Sequence, residues 1–120
     1  MPKVKARENL NLRAVRELLE WKGWKVVRLN TGAFPITDRN GKTRYVKTGT
    51  RGLPDLLALK ETYPPIFIEV KGEGGKLSKH QKEMIDLINK TTARATVVWT
   101  PDEMVDYLAG LDEEVSNNSE

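Results

Sequence analysis

Pro54-Asp55-Leu56-Leu57-Ala58-Leu59-Lys60 and, after a short connection, Ile66-Phe67-Ile68-Glu69-Val70-Lys71 decide the fold. Both runs are aliphatic, both have the length of a strand, and Glu61-Thr62-Tyr63-Pro64-Pro65 joins them. Side chains alternate along a strand, so Ile66, Ile68 and Val70 share one face while Phe67, Glu69 and Lys71 share the other. Pairing residues 55–60 with 66–71 as an antiparallel hairpin sets Lys60 opposite Ile66 and Asp55 opposite Lys71. Asp55 is then the diagonal neighbour of Glu69, at roughly 7–8 Å between Cα atoms. Two carboxylates and an ammonium therefore converge at one edge of a sheet. Leu56, Leu57, Leu59, Ile66, Ile68 and Val70 form its apolar scaffold.

Upstream, the spacing predicts a helix over residues 8–22, closed by Gly23. Leu12, Ala14, Val15, Leu18, Leu19 and Trp21 fall on one broad arc of it, and Arg13, Arg16, Glu17 and Glu20 on the other. Residues 24–29 read as a strand. Two short extended segments follow, 33–37 and 43–48, around Asp38-Arg39-Asn40-Gly41-Lys42, where Asn-Gly favours a hairpin. Residues 48–54 form a loop that leads into Asp55.

Downstream, Gly72, Gly74 and Gly75 mark a loop, and Ser78 caps a helix reaching about residue 90, with Gln81 at the capping-box position. Residues 95–100 read as a strand. Thr100-Pro101-Asp102-Glu103 opens a short final helix expected to end at Gly110. The order is α-β-(hairpin)-β-β-α-β-α, an α/β fold with a mixed central sheet flanked by helices. One domain over residues 1–110 is expected, with residues 111–120 as an acidic, polar, disordered tail.

Two carboxylates so close in a partly dry site repel each other unless a cation lies between them. Oxygen ligands favour a hard ion, Mg²⁺ or Mn²⁺, held by one or two carboxylates together with a substrate phosphate. Such an ion polarises a phosphodiester and acidifies a water molecule, and the Lys71 ammonium can position that water or offset charge on the phosphate. The plain alternative is a cross-strand salt bridge.

Glu8 lies on the apolar arc of the first helix, between Val15 and Leu19 in angle. It is a further contact to the metal, direct or through water, or the helix has not yet started there, or the residue simply favours the positive end of the helix dipole. Gln81 sits on the inward arc with Met84, Ile85 and Ile88, where cap and site roles are compatible. Arg51 precedes Asp55 closely enough to reach a phosphate, although a solvated loop arginine would look the same. Lys47, Lys76 and Lys79 join it as candidate DNA contacts.

The composition agrees with a polyanionic partner. Residues 1–54 hold 13 Lys/Arg against 4 Asp/Glu, whereas residues 55–120 hold 7 against 13. With no cysteine, a disulfide framework, a thiolate zinc site and a cysteine nucleophile are excluded, and a reducing cytoplasm is the expected location. One histidine cannot complete a zinc shell, and His80 is expected at the surface or behind the site. No stretch has the length of a membrane span, and residues 1–5 lack the apolar core of a signal peptide.

Gly52-Leu53-Pro54-Asp55 followed by Glu69-Val70-Lys71 resembles the signature of the PD-(D/E)XK nuclease superfamily. A glutamate at the first helix, Arg51 before the Gly-Leu-Pro-Asp run, and Leu77-Ser78-Lys79-His80-Gln81 after the glycine loop narrow the resemblance to the VRR-NUC (virus-type replication-repair nuclease) family, over about residues 8–109. The resemblance implies a restriction-endonuclease-like core and Mg²⁺- or Mn²⁺-dependent hydrolysis of DNA. It assigns the metal to Asp55, Glu69 and the Val70 carbonyl, makes Lys71 the catalytic lysine, and gives Glu8 and Gln81 supporting roles. It also implies branched or flapped DNA as substrate, a homodimer, and a phage or bacterial setting in replication, repair or recombination. Two rivals stand beside it: a Holliday junction resolvase of the archaeal type, and a non-catalytic DNA-binding module that keeps the fold.

Overall fold

The structure, a computed structural model, describes the backbone over residues 4–29, 33–47 and 49–118, and side chains over 7–29, 35–45 and 49–118. Its elements are α1 (Val4–Trp21), β1 (Lys25–Arg28), β2 (Ala33–Thr37), β3 (Thr43–Lys47), β4 (Leu56–Leu59), β5 (Ile66–Val70), α2 (Lys79–Asn89), β6 (Arg94–Val98) and α3 (Pro101–Asn118). Four strands form a sheet in the order β1-β4-β5-β6, and β2 and β3 form a separate two-stranded sheet. The β1–β4 and β4–β5 pairs are antiparallel, while β5 and β6, joined through α2, are parallel. This is the mixed α/β sheet expected from the element order.

One face of the sheet is the core. Val26, Leu56, Ala58, Ile66, Ile68, Val70 and Val98 pack there against Val15 and Leu19 of α1 and Met104, Leu108 and Leu111 of α3. Each Val, Leu, Ile or Met among them contributes about 1.5–3 kcal/mol by leaving water. On the other face α2 packs against β6 and buries Ile88. Helix α1 stops where predicted. Gly23, at φ 93°, donates to the Glu20 carbonyl at 3.0 Å, and the Trp24 N–H reaches the Leu19 carbonyl at 3.0 Å. That is the reverse turn only glycine adopts without strain. Trp21 departs from the predicted arc and is 83% exposed. It lies about 120° around the helix from Val15. Trp24, beyond the turn, is buried in the core instead.

The register of the central hairpin differs from the predicted one. Leu56 pairs with Ile68, Leu57 with Phe67 and Ala58 with Ile66, a shift of two residues. β4 ends at Leu59 and the connection takes in Lys60, with a reverse turn at Thr62, whose φ is 70°. Pro64 and Pro65 have no N–H for a ladder, so β5 starts only at Ile66. A two-residue shift preserves the alternation of faces. Asp55 therefore comes to lie directly across from Glu69 rather than diagonal to it.

The C-terminal segment also differs. No disordered tail begins at residue 111; α3 continues to Asn118. Met104, Leu108, Leu111 and Val115 carry one apolar stripe onto the core, and Arg94 forms a two-armed pair with Glu114 at 2.7 and 2.9 Å. Gly110 does not stop the helix, because the next turn brings Leu111 and Val115 onto the core. No helix among the described residues is long and apolar enough to cross a membrane.

Candidate active site

β5 carries Ile66, Ile68 and Val70 into the core, so Glu69 and Lys71 must turn to the opposite face. Both are largely withdrawn from water. Glu69 is 2% exposed and Lys71 is 8% exposed. Asp55, just before β4, extends its carboxylate toward the end of β5, where Oδ2 accepts the Val70 N–H at 2.9 Å. The helix of α1 begins at Val4, so Glu8 lies within it, and the alternative in which the helix has not yet begun is excluded. Glu8 continues the inward stripe of Val15 and Leu19 to the edge of the sheet. One carboxylate oxygen from each of Glu8, Asp55 and Glu69 falls within 4.8 Å of the others.

The cluster is electrostatically strained. Burial, the neighbouring Asp55 charge and the Glu8 charge push the Glu69 carboxyl up to about 8, against the relief that Lys71 provides. Lys71 Nζ is 3.4 Å from Glu69 Oε2, and Gln81 Nε2 donates to the same oxygen at 3.1 Å. Glu69 Oε1 is buried with no hydrogen-bond partner among the described residues. A carboxylate oxygen taken from water without a partner costs on the order of several kcal/mol. A hard divalent cation among these oxygens would supply the missing partner, and an all-oxygen donor set suits an ion such as Mg²⁺ or Mn²⁺.

The backbone at Val70 fits as well. Lys71 N–H donates to the Val98 carbonyl at 2.9 Å across the parallel pair, so Val70 turns its own N–H and C=O the other way, toward residues 54–55. The register of β4 and β5, carried past the Leu56–Ile68 pair, sets Pro54 opposite Val70. Proline has no N–H to give to that carbonyl.

Gln81 reaches Glu69 because it is already fixed at the other end. Its Oε1 accepts the Ser78 N–H at 2.8 Å while Ser78 Oγ accepts the Gln81 N–H at 3.1 Å, the full capping box. The loop before Asp55 is pressed against this turn. A Cβ at Gly52, whose φ is 82°, would meet the His80 carbonyl oxygen at 2.4 Å. His80 itself is exposed.

Sequence reasoning missed Asn11. It lies one turn after Glu8 on the inward side of α1, and its Nδ2 donates to the Lys71 carbonyl at 3.0 Å and the Trp99 carbonyl at 2.7 Å. Trp99 in turn donates its indole N–H to the Gly75 carbonyl at 2.8 Å, and Arg7 pairs with Glu73 at 2.7 Å. The glycine loop after Lys71 is thereby tied to α1. A polar residue on an otherwise apolar arc was the available signal. Of the predicted DNA contacts, Arg51, Lys76 and Lys79 are exposed around the loop and the start of α2, with Lys79 3.9 Å from Glu83. The Lys47 side chain lies outside the described residues.

The profile of the VRR-NUC domain matches residues 10–99. The chain belongs to the VRR-NUC family. The matched segment of this VRR-NUC domain contains Asp55, Glu69, Lys71 and Gln81 and begins just after Glu8. A solved structure described as a VRR_NUC domain is similar to it with a TM-score of 0.62 at 23% identity, covering 86% of this chain and 95% of the other. That likeness speaks for the fold, which is of the restriction-endonuclease-like kind. Comparison with curated proteins gives no match. Membership places the chain in a nuclease family.

Proposed function

We propose that this chain is a Mg²⁺- or Mn²⁺-dependent deoxyribonuclease that hydrolyses phosphodiester bonds, with Glu8, Asp55, Glu69 and the Val70 carbonyl as the metal-holding groups. The observation that carries this reading is the buried Glu69 oxygen without a partner, set beside two further carboxylates. When bound, the divalent ion supplies a Lewis acid that polarises the phosphodiester and acidifies a water molecule.

The protein's own groups divide the remaining work. Asp55 locks the end of β5 by taking the Val70 N–H, which orients the Val70 carbonyl. Gln81 holds Glu69 Oε2, while Oε1 of the same carboxyl keeps no hydrogen-bond partner among the described residues. Lys71, already beside Glu69, places a fixed positive charge where the phosphate gains negative charge. A preset ammonium in a dry site stabilises that charge more than water would. Branched or flapped DNA in replication or repair is the proposed substrate, and the basic half of the chain supports a polyanion. Arg51, Lys76 and Lys79 would meet phosphates at the rim.

The test is a cleavage panel of linear duplex, single-stranded, flap and four-way junction DNA, with and without Mg²⁺. Metal-dependent cutting strongest on flap or junction DNA is the expected result. Binding without cutting on every substrate would instead identify a non-catalytic module. Symmetric nicking of the four-way junction alone would identify a junction resolvase, whose two-fold substrate suits a pair of copies.

A further inference from the structure

The β2–β3 hairpin stands apart from the main four-stranded sheet. It belongs to neither face of the main sheet, and each described side chain along it, from residue 35 to residue 45, is exposed. A two-stranded ribbon without a buried side is marginal by itself in water. Here the ribbon is locally well made. β2 and β3 pair in register over five residues, from Ala33 with Lys47 to Thr37 with Thr43. The Asp38 carboxylate accepts the Asn40 and Lys42 N–H groups, each at 2.9 Å, Gly41 takes φ 79°, and the Asp38 N–H closes the turn on the Lys42 carbonyl at 3.0 Å.

Position and charge say what the ribbon is for. The chain leaves β1 after Leu29 for the hairpin and returns from it into Asp55, and the Leu29 N–H donates to the Asp55 carbonyl at 2.8 Å. The two ends of the excursion that carries the hairpin thus meet at Asp55, one of the three clustered carboxylates. Residues 33–51 hold five cations, Arg39, Lys42, Arg44, Lys47 and Arg51, against the single carboxylate of Asp38. That carboxylate is already engaged with backbone N–H groups of the turn. Tyr45, on the strand beside Arg44, is 71% exposed.

We propose that the β2–β3 hairpin is an arm that grips duplex DNA flanking the phosphodiester held at the active site, with Arg39, Lys42 and Arg44 on phosphates. This rests on the nuclease reading and extends it to a second contact surface. A two-stranded ribbon fits the major groove, about 12 Å wide. Five residues of strand reach about 17 Å along it. An apolar partner would have to strip water from three cations without returning charge, whereas the phosphate backbone returns it at each step. The exposed cations and Pro35 also make the ribbon a poor edge for a strand of another chain.

The experiment measures binding of a 20-base-pair duplex by anisotropy, in Ca²⁺ and over a range of salt, for wild type, R39A/K42A/R44A and the charge-conserving R39K/K42R/R44K. Hydrolysis of bis(p-nitrophenyl) phosphate in Mn²⁺ is followed in parallel, since that small diester cannot span to the arm. For the alanine variant, the expected result is affinity reduced by about tenfold or more and a log K against log salt slope shallower by about 2–3. The charge-conserving variant and small-diester hydrolysis by both should match wild type. An unchanged slope in the alanine variant would overturn the proposal. So would an unchanged slope together with conversion of a dimer to a monomer by light scattering, which would assign the arm to a second copy. If wild type hydrolyses no diester at all, the nuclease reading fails, and the slope still decides whether the arm grips DNA.

Discussion

Gln81 touches Glu69 and caps α2 with the same side chain, its Nε2 3.1 Å from Glu69 Oε2 and its Oε1 2.8 Å from the Ser78 nitrogen. A local helix start is thus coupled to the buried carboxylate of the site. Gln81→Ala should lower stability by about 1 kcal/mol through the lost cap. It should also weaken Mn²⁺ binding about 10- to 100-fold, as expected for a group that orients a ligand. Gln81→Glu keeps an acceptor for Ser78 but sets a fourth carboxylate at the cluster. Thermal melts and metal titrations of the two variants separate the roles, since only the alanine change should lose the cap.

The Glu69 carboxyl, raised to about 8 from 4.5, makes the metal-free fold sensitive to pH. A raised pKa means that the folded state holds the proton more tightly than the unfolded chain. The stabilisation is complete below pH 4.5, declines as pH rises, and is lost above about 8. The swing is on the order of a few kcal/mol. Denaturant melts in EDTA at pH 6 and pH 8.5 should show it, Glu69→Gln should flatten it, and Mn²⁺ should remove it while releasing a proton. Equal pH slopes in wild type and Glu69→Gln would refute the assignment of the strain to Glu69.

Gly52→Ala should cost both stability and cleavage. The new Cβ at φ 82° meets the His80 carbonyl oxygen at 2.4 Å, so the loop or the start of α2 must move. Either movement disturbs Asp55 or Gln81. A Tm drop accompanied by a lower kcat on a DNA substrate is expected, and an unchanged kcat would show that loop and helix shift without disturbing the site.

Removing residues 111–120 should unfold the protein or lower its Tm sharply, because it deletes Leu111 and Val115 from the core and Glu114 from Arg94. Leu111→Ala alone should cost about 2–4 kcal/mol. Circular dichroism melts check both.

The parts that were legible in the chain depend on local rules. Strand alternation and the hairpin pairing placed Asp55, Glu69 and Lys71 on one face, and that placement survived a two-residue error in register because the period is two. Ser78 and Gln81 were legible as a cap, and Asn40-Gly41 as a turn. The register itself was not, because it depends on how Thr62, Pro64 and Pro65 lengthen a connection. Asn11 was legible only as a polar residue on an apolar arc, not by its role. Its partners are carbonyls 60 and 88 residues away, and nothing local marks them. Gly110 reads as a helix stop until the next turn, Leu111 to Val115, is seen to have a core to join.

On the function proposed, Asp55, Glu69 and Lys71 form a metal-dependent site for cutting DNA. The direct measurement is single-turnover cleavage of end-labelled flap and four-way junction DNA by wild type, Glu69→Gln and Lys71→Ala, each in Mg²⁺ and in EDTA, with DNA binding measured in parallel. The expected result is cutting by wild type in Mg²⁺ only, a loss of about 10³-fold or more in each variant, and binding retained by both. Cutting in EDTA, or cutting at near wild-type rates by both variants, would contradict the account.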